Sequence, residues 1–177
     1  QDKVGNQGWN DLADFEIGQT VPYRYESNMP DVNGYNTYYY AWHDVMSEAL
    51  TFKKDSVAIR IYESSNARNY YELKEGEFEV KEAPGGGDTF QVIVSDMKKI
   101  IDREFNRKNE AGENKYGQKI VLTYQATLNE KAAKNTGRPG FENDVRLEFS
   151  NDPDSAVRGS TGYTPWDTVV CFSYKIN

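Results

Sequence analysis

The sequence predicts an all-β fold: an immunoglobulin-like antiparallel β-sandwich carrying one short α-helical insertion. Two observations predict it. Apolar and polar residues alternate over segment after segment, the period of half-buried strands. Turn-forming clusters separate those segments, at Asn33-Gly34, Gly85-Gly86-Gly87 and Asn151-Asp152-Pro153-Asp154.

About seven strands follow in order. Val21, Tyr23 and Tyr25 alternate with Pro22 and Arg24. Tyr38, Tyr40 and Trp42 share one face, and Asp44 follows on it. Val57, Ile59 and Ile61 mark the third, and Phe90, Val92 and Val94 the fourth. Ile120, Leu122, Tyr124, Ala126 and Leu128 form the longest. Val145, Leu147 and Phe149 come next, and Val170, Phe172, Tyr174 and Ile176 close the chain. One segment breaks the alternation. From Ser95 to about Arg107, Met97, Ile100, Ile101, Glu104 and Phe105 recur near helical spacing, with Ser95 or Asp96 as N-cap. The helix is expected to cross an end or edge of the sandwich. The polar stretch from Asn106 to Gln118 is expected as a mobile loop, so that residues 95–118 form the insertion.

Composition narrows the function. The 177 residues fit one domain. A formal net charge of −7 repels nucleic acid and anionic membrane surfaces. Only 37% of residues are hydrophobic, yet 14% are aromatic, so a thin, tyrosine-rich core is expected rather than disorder. One Cys and one His exclude an internal disulfide framework and a Cys- or His-rich metal centre. Without a run of about 18 apolar residues, no membrane insertion is expected. The opening and closing residues read as a cut through a longer protein, with residues 1–177 as one domain.

Parity also selects polar residues for the interior. Asp44 shares the inward face of Tyr38, Tyr40 and Trp42, and Asn143 shares that of Val145, Leu147 and Phe149. Lys3 lies near the start of a possible first strand. A buried carboxyl among aromatics is neutral or paired, and a desolvated lysine loses its proton and becomes a nucleophile. A protonated Asp polarises an Asn side-chain carbonyl, the lysine attacks it, and ammonia leaves behind an amide crosslink. The competing interpretation places Asp44 at a turn, Asn143 at a loop cap and Lys3 in solvent.

The ordering of short motifs adds a resemblance. Ala13-Asp14-Phe15, Ile17-Gly18, Val21-Pro22, Pro30-Asp31, Tyr35, Thr37-Tyr38, His43-Asp44 and Leu50-Thr51-Phe52 come in sequence. LTYQATLNEKA (122–132), ENDVRLEFSNDP (142–153) and TGYTPWDTVVCFSYKIN (161–177) follow. Together these resemble the fimbrial isopeptide-forming domain (D2-type, CnaA-like) of Gram-positive sortase-assembled pilin subunits and related cell-wall-anchored adhesion proteins. Gln19 and Ala49 depart from the family's usual Asp and Gly, both at turn positions. The resemblance implies a structural or adhesive module on the extracellular, cell-wall-anchored surface, without cofactor and without substrate turnover. It implies neighbouring pilin domains or subunits, sortase acting on the full-length protein, and a host or matrix receptor as partners.

Carried over by position, the crosslink joins Lys3 to Asn143 with Asp44 as the assisting acid, and Tyr38, Tyr40 and Trp42 shield that acid. A lysine preceding Gln1 is the alternative nucleophile. Glu130 is the next candidate acid, and Asn151 and Asn177 are the alternative amides. His43, on the opposite parity, is expected to be a hydrogen-bonding strand residue. Asp152, Asp154 and Asp167 lack a calcium-loop spacing, and Cys171 is expected to be a small strand residue. Two other classes stay open. One is a carbohydrate- or ligand-binding adhesin sandwich without a crosslink, with Tyr70, Tyr71 and Tyr163 as an exposed platform. The other is a secreted β-sandwich hydrolase, for which no convincing carboxylate pair is found.

Overall fold

The computed structural model describes residues 16–105, 107–134, 142–154 and 159–169. Among them, ten strands form two sheets that face each other across an aromatic core. The strands are β1 (Thr20–Asn28), β2 (Tyr40–Met46), β3 (Leu50–Tyr62), β4 (Tyr70–Glu72), β5 (Glu79–Gly85), β6 (Asp88–Val94), β7 (Lys119–Leu128), β8 (Asn143–Ser150), β9 (Thr161–Tyr163) and β10 (Asp167–Thr168). The first sheet runs β1-β7-β3-β4 and the second β10-β8-β2-β6-β5, with β9 also on β8. All pairings are antiparallel. This is the expected sandwich. The expected strand from Val170 and the segment holding Lys3 lie outside the described residues.

Alternation explains the long strands. On β7, Ile120, Leu122, Tyr124, Ala126 and Leu128 are all buried, and across the core they meet Trp42, Phe90, Val92 and Val145 from the second sheet. Phe52 and Phe90 stack with centroids 3.7 Å apart, joining the sheets through aromatic area rather than aliphatic bulk. β2 is buried on both faces: Tyr40, Trp42 and Asp44 point inward, while Ala41 and His43 are covered from outside.

Four strands were not expected: β4, β5, β9 and β10. They are short or solvent-exposed, so no alternation marks them. β5 and β6 instead form a hairpin through its turn. Gly86 and Gly87 both have positive φ (70° and 92°), as a tight two-residue connection requires.

The helix α1 spans Met97–Glu104, three residues shorter than expected at its C-terminus, where Phe105 caps it. It runs from β6 in one sheet to β7 in the other and buries Met97, Ile100 and Ile101. Asp96 is its N-cap. Its Oδ1 accepts from Lys99 N (3.2 Å) and from Tyr38 N (3.0 Å), fastening the helix to the entry of β2. Residues 107–118 form the expected loop, held by local hydrogen bonds. Lys108 bridges Asn114, and Asn109 Oδ1 accepts from Ala111 N and Glu113 N, a local side-chain arrangement that apolar periodicity does not register. No helix among the described residues is long and apolar enough to cross a membrane.

Candidate functional site

The pairing of β2 with β8 brings two of the polar residues singled out by parity together. Asn143 sits opposite Met46 and Val145 opposite Asp44, so Asp44 and Asn143 are diagonal neighbours on one inward face. Both are fully buried, at 1% and 0% exposure. The second sheet supplies this pair, and the first sheet supplies its partner. Tyr124 of β7, itself buried, donates from Oη to Asp44 Oδ2 at 2.7 Å. Asn143 Nδ2 donates to the same Tyr124 Oη. One hydroxyl therefore bridges the carboxyl and the carboxamide.

The bridge leaves one oxygen on each side. Asp44 Oδ1 and Asn143 Oδ1 have no hydrogen-bond partner among the described residues. Buried polar atoms are nearly always paired, so two unpaired oxygens on neighbouring side chains mark this point of the core as unusual. Burial holds the Asp44 carboxyl well above the usual carboxylate range, against the opposing pull of the Tyr124 hydroxyl and the neighbouring Asn143 amide. Burial and the neighbouring Asp44 likewise push the Tyr124 phenol up. A carboxyl and a phenol that burial biases towards their neutral forms therefore share one buried compartment with an amide.

The surrounding aromatics come from several strands. Tyr23 stacks on Tyr124 at 5.6 Å, Phe90 meets Tyr124 edge-on at 5.1 Å, and Phe52 lies at 6.5 Å. Phe90 is also the direct β6 partner of Asp44. Tyr38, Tyr40 and Trp42 are buried and form an aromatic row along the face that Asp44 ends, with Tyr40 Oη donating to Ser27 Oγ. Trp42, two residues before Asp44, is the member of the row nearest to it in sequence. Sequence reasoning placed Tyr124 inward but gave it no chemical role. The available signal was a hydroxyl on an inward parity, which needs a partner.

The other candidates are dispersed. Glu130 is exposed in a short turn of 3-10 helix, and Asn151 is exposed, its Oδ1 accepting from Ser160 Oγ. Lys3, Asn177 and Cys171 lie outside the described residues. Tyr70 and Tyr71 stand on β4 in the first sheet, whereas Tyr163 stands on β9 in the second, so the three form no common platform. Asp152 and Asp167 are each engaged by hydrogen bonds, from Asp154 N and from the Tyr25 hydroxyl. Among the described residues, no group of three or more His, Cys, Asp or Glu side chains is placed to hold a metal ion.

His43 is a second buried polar centre, on the outer face of the second sheet. Its Nδ1 lies 2.6 Å from Asp88 Oδ2 and its Nε2 lies 2.8 Å from Glu148 Oε1. It thereby clamps the flanking strands β6 and β8 to β2, while Thr161 Oγ1 donates to Glu148 Oε2. Both ring nitrogens are occupied and no nucleophilic hydroxyl is bonded to the ring, so the geometry is that of a strut rather than a hydrolase base.

Comparison with known proteins agrees with this architecture. The family model described as Gram-positive pilin backbone subunit 2, Cna-B-like domain, matches residues 17–153. The motif resemblance pointed to a CnaA-like variant, and the family description names the Cna-B-like one. Among solved structures, the pilus backbone RrgB from Streptococcus pneumoniae aligns with a TM-score of 0.50 and 21% identity, over 79% of this chain and 44% of that one. The group B streptococcus pilus 2b backbone protein aligns with a TM-score of 0.50 and 15% identity, over 85% of this chain and 52% of that one. The chain thus spans about half the length of these two structures. No curated protein sequence matches the chain.

Proposed function

Since the chain belongs to the Gram-positive pilin backbone family, whose setting is the cell surface, we propose that it is a stiff structural module of a pilus or related surface protein, locked by one self-formed Lys–Asn amide. Residues 1–177 form one domain of that longer protein. Its partners are other pilin subunits, to which sortase joins the full-length protein, and matrix ligands are a further class. The module turns over no substrate.

One observation carries this reading: Asp44 and Asn143 lie side by side in the core, each with an oxygen that has no partner among the described residues. A structural acid–amide pair would be expected to satisfy itself. A reactive pair instead keeps its carbonyl oxygen available for polarisation and its acid neutral, as the burial of Asp44 favours. Lys3 supplies the amine. Its Nζ bonds to Asn143 Cγ, the Cγ–Nδ2 bond breaks, and Nδ2 departs as ammonia with a proton lost from Nζ. Asp44 polarises the carbonyl and carries that proton.

Intact mass spectrometry of the purified chain tests this. The expected wild-type mass is that of the sequence less one ammonia. Asp44→Ala and Lys3→Arg are expected at full mass, with Asp44→Ala also melting at a lower temperature. A folded wild type at full mass would overturn the crosslink while leaving the sandwich and the family membership intact.

A further inference from the structure

Tyr124 stands where the proposed reaction has a difficulty. An amide nitrogen is a poor leaving group until it is protonated, so the proton that Nζ gives up has to reach Nδ2. Asp44 can take the proton from Nζ. The bonded neighbour of Nδ2, however, is the Tyr124 hydroxyl, and that same hydroxyl is bonded to Asp44 Oδ2. A hydroxyl both donates and accepts, so it can pass a proton along without holding a charge.

We propose that Tyr124 is a catalytic residue of the crosslinking reaction, relaying a proton from Asp44 to the departing Asn143 nitrogen. This rests on the crosslink reading above. In the resting arrangement Nδ2 donates to Oη and Oη donates to Oδ2. When Nζ bonds to Cγ, Nδ2 becomes a tetrahedral amine with a lone pair, and the direction of the chain reverses. As that bond forms, Asp44 gives its own proton to the carbonyl oxygen and takes the Nζ proton in its place; it then gives that proton to Oη, and Oη gives its own to Nδ2. The Cγ–Nδ2 bond then breaks, the oxygen returns its proton to Asp44 as the new amide carbonyl forms, ammonia leaves, and Asp44 and Tyr124 are back at their starting protonation. No oxidant, metal or other reactant is needed.

Three features fit this role. Tyr124 comes from the opposite sheet, so its hydroxyl is held by the packing of the whole sandwich rather than by a flexible loop. Its ring is fixed by Tyr23, Phe90 and Phe52. Burial disfavours the phenolate, so the hydroxyl remains a carrier and is not drained by Asp44.

The test is the time course of ammonia loss in chain released from cell-free synthesis, quenched at intervals and read by intact mass. Tyr124→Phe keeps the ring and removes the hydroxyl. The expected result is a folded variant that forms the bond on the order of 10²–10⁴-fold more slowly than wild type. A folded Tyr124→Phe that bonds at the wild-type rate overturns the relay and leaves the crosslink standing. A wild type that stays at full mass overturns both. The wild-type time course in mixtures of light and heavy water adds a readout that does not depend on the variant's folding. Two protons moving together give a curved dependence on deuterium fraction, whereas a straight line, the mark of one direct transfer from Asp44, overturns the relay.

Discussion

At the scale of single residues, Asp44 makes stability depend on pH in a direction opposite to an ordinary surface carboxylate. In the unfolded chain an Asp ionises near pH 4, but burial keeps the folded Asp44 protonated well above that. Between the two values the folded state binds a proton that the unfolded state does not, so stability falls as pH rises through this window and the effect vanishes below it. The expectation is cleanest without the crosslink. In an Asn143→Ala background, adding Asp44→Asn is expected to raise stability at neutral pH and to change it little near pH 4. The gap between the two urea-melt series would widen by up to about 1.4 kcal/mol per pH unit, and parallel series would contradict a neutral Asp44. Parity alone made the inward direction of Asp44 and Asn143 legible, because a strand reverses its face at every residue. Their meeting was not legible, since it depends on the β2–β8 register. Nor was the role of Tyr124, which reaches the pair from the other sheet.

At the scale of elements, α1 shows how a single side chain can secure two pieces of structure. Asp96 closes the first turn of the helix and also binds the backbone leading into β2. Asp96→Ala is expected to cost about 1–2 kcal/mol in denaturant unfolding and Asp96→Asn clearly less. An unchanged midpoint for the alanine variant would refute the double anchoring. The helix itself was legible from the spacing of Met97, Ile100 and Ile101, and so were β1, β2, β6, β7 and β8. The short strands β9 and β10 were not, because two or three exposed residues carry no period. Their positions follow from pairing with β8, a long-range relation. β3 was legible only in its second half. Its first half ends in a register shift between Lys53 and Ala58, where Ser56 Oγ replaces a backbone partner by accepting from Gln125 N at 2.7 Å.

At the scale of the molecule, the thin hydrophobic composition is offset in two ways. The core draws on aromatic surface, and the outer face of the second sheet buries a polar strut, His43 between Asp88 and Glu148. An amide between Lys3 and Asn143 would add a third. It would close a loop of about 140 residues, which by the chain-entropy argument developed for disulfides is worth roughly 5 kcal/mol. Lys3→Arg preserves the charge and removes the nucleophile, so it is expected to lose about that amount in a denaturant titration while keeping the wild-type circular dichroism. Equal stability would indicate that no such loop is closed. The fold class and the family were legible because many short motifs occur in the right order along the chain. The geometry of the buried centre was not, because it is a product of three strands distant in sequence.

The division of that centre between the two sheets has a consequence for how the chain matures. Asp44 and Asn143 belong to one sheet and Tyr124 to the other, so the acid is dry and the bridge is complete only after both sheets have docked. Chemistry gated in this way reports on folding. A misassembled chain would stay unlinked and free to unfold and try again, whereas a correctly assembled one would convert irreversibly. The last step of folding would then be a one-way proofreading event, performed by the protein on itself.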